Sequence, residues 1–173
     1  GAAELGTGDV VNDFIPVSGS VDSAAMMILC QNALFVLYGT SAANWRLITL
    51  SRISGGQRGA AQDAGGVITL DSTGVVRYPA TQEFGNFAWD VMSRRIGRLA
   101  AGQTAGCSVF IPTTARYRLF FSDGTGISGL VTGPKSMEWA VIDYGIAVKC
   151  AVSREINGEQ RTFIGDDSGR SEE

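Results

Sequence analysis

The sequence predicts an all-β protein, a propeller-like array of short antiparallel blades with one short helix. Short apolar runs follow one another along the 173 residues, and clusters of Gly, Ser, Asp and Asn separate them. Twenty-three glycines are spread through the chain. Short strands with turn signals at regular intervals are typical of sandwiches, barrels and propellers. At 45% hydrophobic residues, residues 1–173 are expected to form a single domain.

Strands are predicted in the first half of the chain at residues 13–17, 25–30, 33–38, 45–50, 67–70 and 75–78. The runs 25–30 and 33–38 are continuously apolar, which is typical of strands buried on both faces. Gln31-Asn32 between them fits a two-residue hairpin turn. Residues 54–64, rich in Gly, Gln and Ala, are expected to form an exposed loop.

The principal helix is predicted over residues 86–101. Phe87, Val91 and Ile96 fall at helical spacing, the first residue is an Asn that can act as N-cap, and Gly102 can end the helix. Strands are then predicted at residues 107–111, 117–121, 127–131, 137–142, 146–152 and 161–164.

An apolar strand, an Asp/Ser/Gly turn and a second strand form a recurring unit. The turns are residues 71–74, 122–124 and 165–169. Gly supplies positive φ in such turns, and Asp bonds the backbone with its side chain. Their spacing of roughly forty to fifty residues is the period of propeller blades. The third unit is cut short, so the array is expected to be incomplete within this chain.

Several kinds of catalytic site are excluded by composition. The chain contains no histidine, which removes Ser-His and Cys-His catalysis and imidazole metal sites. We therefore predict a protein that is not an enzyme, with no catalytic, cofactor-binding or metal-binding residues and no required cofactor. Cys30, Cys107 and Cys150 lie in apolar runs and fit no metal motif, so they are expected to be reduced and largely buried.

Two carboxylate groupings, Asp166 with Asp167 and Asp123 with Asp71, could bind Ca²⁺ or hydrolyse glycosides. Each Asp lies in a predicted turn, where bonding to its own backbone is the favoured interpretation.

Residues 123–126 read Asp-Gly-Thr-Gly, which does not match the Asp-Thr-Gly triplet of aspartic proteases. They also precede a strand, whereas a phosphate-binding loop needs a following helix.

The aromatic residues Trp45, Trp89, Trp139, Tyr38, Tyr78, Tyr117 and Tyr144 could line a sugar-binding surface. At 9% aromatic content, packing in the core and between blades is the favoured interpretation.

Net charge limits the choice of partner. The formal charge is −3 and the pI is about 5.0, which argues against an electrostatic grip on nucleic acid. The densest basic cluster, residues 94–98, is short and typical of a solvated face.

The sequence contains no run of about eighteen apolar residues, so no membrane-spanning helix is predicted. The first residues, 1–6, lack the basic and apolar regions of a signal peptide.

In the order of its segments, the chain resembles tailed-bacteriophage virion proteins that carry propeller-like blades in the tail or its nozzle. The segments lie from about Phe14 onward and cover residues 35–40 with 45–47, 66–75, 84–87 with 93–96, 117–124 and 163–169. In the proteins it resembles, the last motif continues into another strand. The resemblance therefore implies either a fragment or blades completed by neighbouring subunits.

The resemblance implies a structural component of a tailed-phage virion, in the tail, assembled in the host bacterial cytoplasm. Its expected partners are copies of itself and other virion proteins. Phage DNA is expected to pass without sequence-specific binding, because an acidic conduit does not retain a polyanion. A carbohydrate-binding propeller of the lectin type is the first alternative, and a carboxylate-dependent glycosidase is the second.

Overall fold

The computed structural model describes residues 6–17, 25–78, 90–91, 96–100, 102–133, 136–169 and 171–172. These residues form an all-β structure of four small antiparallel sheets, which confirms the predicted fold class. In each sheet the order of the strands across the sheet is their order along the chain. Each sheet is therefore a meander built from one continuous stretch of sequence.

The strands have the following bounds. The first sheet contains β1 (Val11–Val17), β2 (Ala25–Cys30), β3 (Leu34–Tyr38) and β4 (Arg46–Ser51). The second contains β5 (Gln62–Asp63), β6 (Val67–Asp71), β7 (Gly74–Tyr78) and β8 (Asp90–Val91). The third contains β9 (Ala105–Ile111), β10 (Arg116–Phe121), β11 (Thr125–Gly133) and β12 (Ser136–Asp143). The fourth contains β13 (Cys150–Ile156), β14 (Glu159–Gly165) and β15 (Ser171–Glu172).

The first strands of the four sheets lie next to one another. β1 contacts β5, β5 contacts β9, and β9 contacts β13. Four-stranded sheets arranged around a common centre are the blades of a propeller. β13 and β1, both wholly within the described residues, share no comparable contact. The array is therefore open between its fourth and first sheets.

Alternate residues of the central strands pack in opposite directions, because successive side chains of a strand point to opposite faces of its sheet. In β6, Val67 packs against the first sheet and Ile68 against the third. In β7, Val76 packs against the first sheet and Val75 against the third. All residues of β6 and β7 are consequently buried.

Three apolar clusters join the sheets in sequence. Between the first and second sheets lie Met27, Leu29, Leu34, Val36, Val67 and Val76. Between the second and third lie Ile68, Leu70, Val75, Tyr117, Leu119, Phe121 and Ile127. Between the third and fourth lie Cys107, Phe120 and Val148, with Ala151 and Ile164 partly buried against them.

The prediction of an exposed loop at residues 54–64 is wrong. Ser54, Ala60 and Ala61 in this segment are buried. A side chain at Gly56 would place its Cβ 2.5 Å from Leu29 Cδ2, so a larger residue would require the buried Leu29 side chain to shift. The segment is rich in Gly and Ala because it threads between sheets, whereas the same composition in isolation is typical of a loop.

Hydrogen bonds fix the same segment to the third sheet. The Gln57 side chain accepts from the Ala105 N–H at 2.8 Å and donates to the Gln103 carbonyl at 2.9 Å. The Tyr117 hydroxyl donates to the Ala60 carbonyl at 2.7 Å. Residues 54–64 are therefore a part of the core that links three sheets.

The predicted helix over residues 86–101 is wrong where the structure describes it, apart from its last turn. Asp90–Val91 form strand β8, in which Val91 pairs with Val76 and Asp90 with Arg77. One helical turn, α1, covers Gly97–Ala100. Residues 86–89, 92–95 and 101 lie outside the described residues. Pairing with the exposed edge of β7 overrides helical spacing, which is only a weak local preference.

Of the last two predicted strands, the first lies later in the sequence than predicted, whereas the second, predicted at residues 161–164, lies within β14. The predicted strand at residues 146–152 is instead β13, which runs to Ile156, and the two-residue turn Asn157-Gly158 joins it to β14. Asn157 has φ 53° and Gly158 φ 82°, the left-handed values of a tight hairpin turn. Asn-Gly is the strongest short hairpin signal in a sequence, and the strand prediction overlooked it.

Candidate functional site

Three of the predicted turns have the same geometry. In each, an Asp Oδ1 accepts the backbone N–H and the hydroxyl of the Ser or Thr two residues later. The paired distances are 2.6 and 2.6 Å at Asp71, 2.9 and 2.7 Å at Asp123, and 2.9 and 2.7 Å at Asp166. Each turn joins the second and third strands of its sheet, which confirms the recurring unit.

These bonds explain what the candidate carboxylates do. Asp71, Asp123 and Asp166 belong to hairpins of three different sheets, and each stabilises its own turn. Asp167 is exposed and lies 3.5 Å from the Lys149 ammonium. Within the described part of the chain, no three Asp, Glu, Cys or His side chains converge as metal ligands would. Asp71, Asp123 and Asp166 are thus turn residues, the interpretation that the sequence favoured, and Asp167 pairs with Lys149.

Thr125 lowers the pKa of Asp123, first through its hydroxyl and then through its backbone N–H, because both bonds favour the ionised carboxylate. The chain continues from this turn directly into β11. The Asp-Gly-Thr-Gly segment is therefore part of a hairpin that leads into a strand, in agreement with the strand predicted after it.

Asp71 differs from the other two turns because it is buried. Its second oxygen, Oδ2, accepts from the Ser54 hydroxyl at 2.5 Å, and that hydroxyl is 2.9 Å from the Tyr78 hydroxyl. The carboxylate thereby ties the hairpin of the second sheet to the buried segment 54–64. A buried carboxylate needs such partners, since desolvation without them is costly.

A second buried polar group crosses between sheets. Arg77 of β7 is 6% exposed, and its guanidinium donates to the carbonyls of Ala64 and Gly133, at 2.9 Å each. Burial lowers the pKa of this guanidinium. Gly133 ends β11, so Arg77 connects the second and third sheets without facing solvent.

Most of the Trp and Tyr side chains in the described ranges are buried or partly buried. Tyr117 and Tyr78 are buried, and Tyr38, Trp139 and Tyr144 are partly buried. Among the Trp and Tyr residues in the described ranges, Trp45 alone is exposed. Trp89 lies outside those ranges. Apart from Trp45, the described Trp and Tyr residues therefore contribute to packing, which is the interpretation that composition favoured.

The cysteines are free, but one of them contradicts the prediction of burial. Cys30 and Cys107 are buried, whereas Cys150 is exposed. Burial is the main cause that raises the pKa of the Cys107 thiol to about 12. Cys150 begins β13 and points away from the third sheet, since its neighbour Ala151 points towards it.

The most distinctive surface lies at the two open ends of the array. On the first sheet, Phe14 pairs with Ile28 on the face turned away from the second sheet, and 53% of Phe14 is exposed. On the fourth sheet, Val152 pairs with Phe163 on the face turned away from the third sheet, and 52% of Val152 is exposed. We call these the first-sheet outer face and the fourth-sheet outer face.

Sequence reasoning did not identify these two faces. Alternation along β13 does place Val152 and Cys150 on one face and Ala151 on the other. The sequence carries no signal for which face another sheet covers, because that depends on how the sheets are arranged.

Comparison with known proteins adds no relative: no protein-family model matches the chain, and no curated protein sequence matches it either. In the described part of the chain, none of the helices has the length and apolar character needed to cross a membrane.

Proposed function

We propose that this chain is a non-enzymatic structural component of a tailed-bacteriophage virion, located in the tail. The tail would be assembled in the host bacterial cytoplasm, where this chain would bind copies of itself and other virion proteins. The observation that carries the proposal is the open array of blades. Exposed apolar residues on the first strands of both end sheets are typical of surfaces that other protein covers.

The roles of the polar residues support a structural function. Asp71, Asp123 and Asp166 fix turns. The buried residues Arg77 and Asp71 and the partly buried Gln57 also link the sheets and the segment 54–64 to one another. Interfaces rather than reactive groups are what a tail component needs to survive assembly. The resemblance to blade-bearing tail proteins supplies the virion context.

The charge also suits a position beside passing DNA. A net charge of −3 gives a polyanion no general electrostatic attraction. DNA would pass without sequence-specific binding.

Assembly is tested by sedimentation velocity and negative-stain electron microscopy of the purified chain. Rings or tubes whose population rises with concentration are expected. A species that stays monomeric at high micromolar concentration would contradict the assembly proposal.

Virion membership needs a separate measurement. Tailed particles purified on a density gradient are analysed by quantitative peptide mass spectrometry, with abundant host proteins as the contamination control. The chain should be present in several copies per particle. Its loss at the purification step that removes host proteins would refute the virion assignment.

A further inference from the structure

We propose that the fourth-sheet outer face of one copy docks on the first-sheet outer face of a second copy, so that copies join head to tail. This inference rests on the assembly proposed above and names its surfaces. Val152 on β13 and Phe14 on β1 would be the central contacts. The occupant of each face is thus the opposite face of another copy of this chain.

Inside the chain, neighbouring sheets meet through their first strands. Each sheet contacts the next through their first strands, β1 with β5, β5 with β9 and β9 with β13. β13 therefore has the first strand of the third sheet, β9, on one side, and β1 has the first strand of the second sheet, β5, on one side. Docking β13 of one copy against β1 of another continues the same series of contacts across the subunit boundary.

Phe14 and Val152 are half exposed, although both belong to strands at the inner side of their sheets. Val11 pairs with Cys30 and extends the same face of β1, with 38% of its surface exposed. Inside the chain, equivalent positions are buried, as Val109 of β9 is.

The chemistry of each face is that of its accessible side chains. On the first-sheet outer face, the cluster of Ile28, Cys30, Ala33, Phe35 and Leu37 is already buried within the chain, so the accessible apolar side chains there are Phe14 and Val11 of β1. On the fourth-sheet outer face, Val152 lies opposite Phe163, and charged residues follow further along β13 and β14. The apolar contact would therefore be centred on the two first strands, with charged residues at its rim.

The charges beside the two faces are opposite in sign. Exposed Arg154 shares the face of Val152 and pairs with Arg161, which lies 3.3 Å from Glu159, so these three residues leave one positive charge in excess. Asp9 precedes β1, and its charge contributes to the raised pKa of Cys30 on the first-sheet outer face, after the effect of burial. A basic rim meeting an acidic one favours unlike faces over like ones, and hence a head-to-tail over a symmetric contact.

Val152→Glu is the direct test, with Val141→Glu as matched control. Val141 is 55% exposed, on the outermost strand of the third sheet, so both variants exchange an equally exposed strand valine for Glu. A carboxylate forced into an apolar contact is penalised by desolvation. Val152→Glu should weaken self-association by about tenfold or more, and Val141→Glu should leave it at the wild-type value. Equal effects of the two variants would overturn the proposed surface.

A second variant establishes the polarity of the contact. Phe14→Glu should also abolish association, because it alters the complementary face. Each variant keeps one intact face, so a mixture of Val152→Glu and Phe14→Glu chains should form one-to-one dimers and stop there. Sedimentation velocity of the separate and mixed variants measures this. Dimers in the mixture also show that both variants are folded.

The outcomes separate the two proposals. A wild-type chain that does not associate overturns both the assembly proposal and these surfaces. Association of the wild type that persists in both Glu variants leaves assembly intact and overturns the surfaces. Monomers in the mixture, with each variant alone also monomeric, would show that the two faces do not bind each other.

Discussion

The second and fourth sheets contain similar hairpins but differ in what covers them. β6 and β7 are buried along their whole length, whereas β13 and β14 contain no fully buried residue. The second sheet has a sheet on each side, while the fourth has the third sheet on one side. In both sheets an Asp turn follows a strand, β6 in the second and β14 in the fourth, yet β6 is core while β14 is at most partly buried.

The comparison teaches that burial in this protein is a property of position in the array. Turn geometry repeats almost unchanged between Asp71 and Asp166 because it depends on a few neighbouring residues. Burial depends on residues distant in sequence. Stability should accordingly be concentrated in the first three sheets, and association in the fourth.

The largest difference is expected from matched isoleucines. Ile68→Ala in the second sheet removes a fully buried side chain between two sheets and should lower the free energy of unfolding by about 3 kcal/mol. Ile156→Ala in the half-covered fourth sheet should cost about 1 kcal/mol, because less apolar surface leaves water on folding. Urea unfolding of both variants measures the two costs, and equal values would contradict the comparison.

Next in size is the effect of a methyl group in the segment that threads between sheets. At Gly56 a new Cβ would lie 2.5 Å from Leu29 Cδ2 and 2.9 Å from Thr69 Oγ1. Gly56→Ala should therefore destabilise the protein by about 2 kcal/mol through overpacking. Gly97→Ala is the control, since nothing lies within 4 Å of the Cβ there. If Gly56→Ala unfolds at the wild-type urea midpoint, the segment is not the tight core element described above.

The repeated turns give a finer test. Asp71→Ala removes a buried acceptor of three hydrogen bonds and leaves the Ser54 hydroxyl with one fewer partner, at an expected cost of about 2 kcal/mol. Asp123→Ala removes the same turn bonds at an exposed position and should cost less. Thermal unfolding of the two variants under one buffer condition ranks them. The reverse order would mean that turn formation, rather than burial, dominates the role of these carboxylates.

The smallest effect concerns the thiols. Cys150 should react with iodoacetamide in the native state, while Cys30 and Cys107 react only after unfolding, as peptide mass spectrometry can show. Burial raises the pKa of Cys107 from 9.0 to about 12, so the fold favours the neutral thiol. In the unfolded chain this thiol ionises first, and stability should fall as the pH rises from 9 towards 12. A Cys107→Ala variant should lose that part of the alkaline decline.

Much of the fold could be predicted from the sequence. Each predicted strand overlaps an observed one, and the hairpin at Gln31-Asn32 is present, with the Cys30 N–H donating to the Ala33 carbonyl at 2.9 Å. These features depend on neighbouring residues. Most errors fall where distant contacts decide, namely in the buried segment 54–64, in strand β8 and in the exposure of Cys150. The overlooked hairpin turn Asn157-Gly158 is the exception, because its signal is local.

The sequence by itself determined the strands, the turn chemistry and the absence of histidine chemistry, because each follows from residue types and their close spacing. Only the tertiary structure decided which strand faces are covered. Alternation along a strand creates two faces but cannot say whether a sheet far away in sequence packs on either one. For that reason Val67 and Val152 follow the same pattern in the sequence, and one is core while the other is available to another copy of the chain.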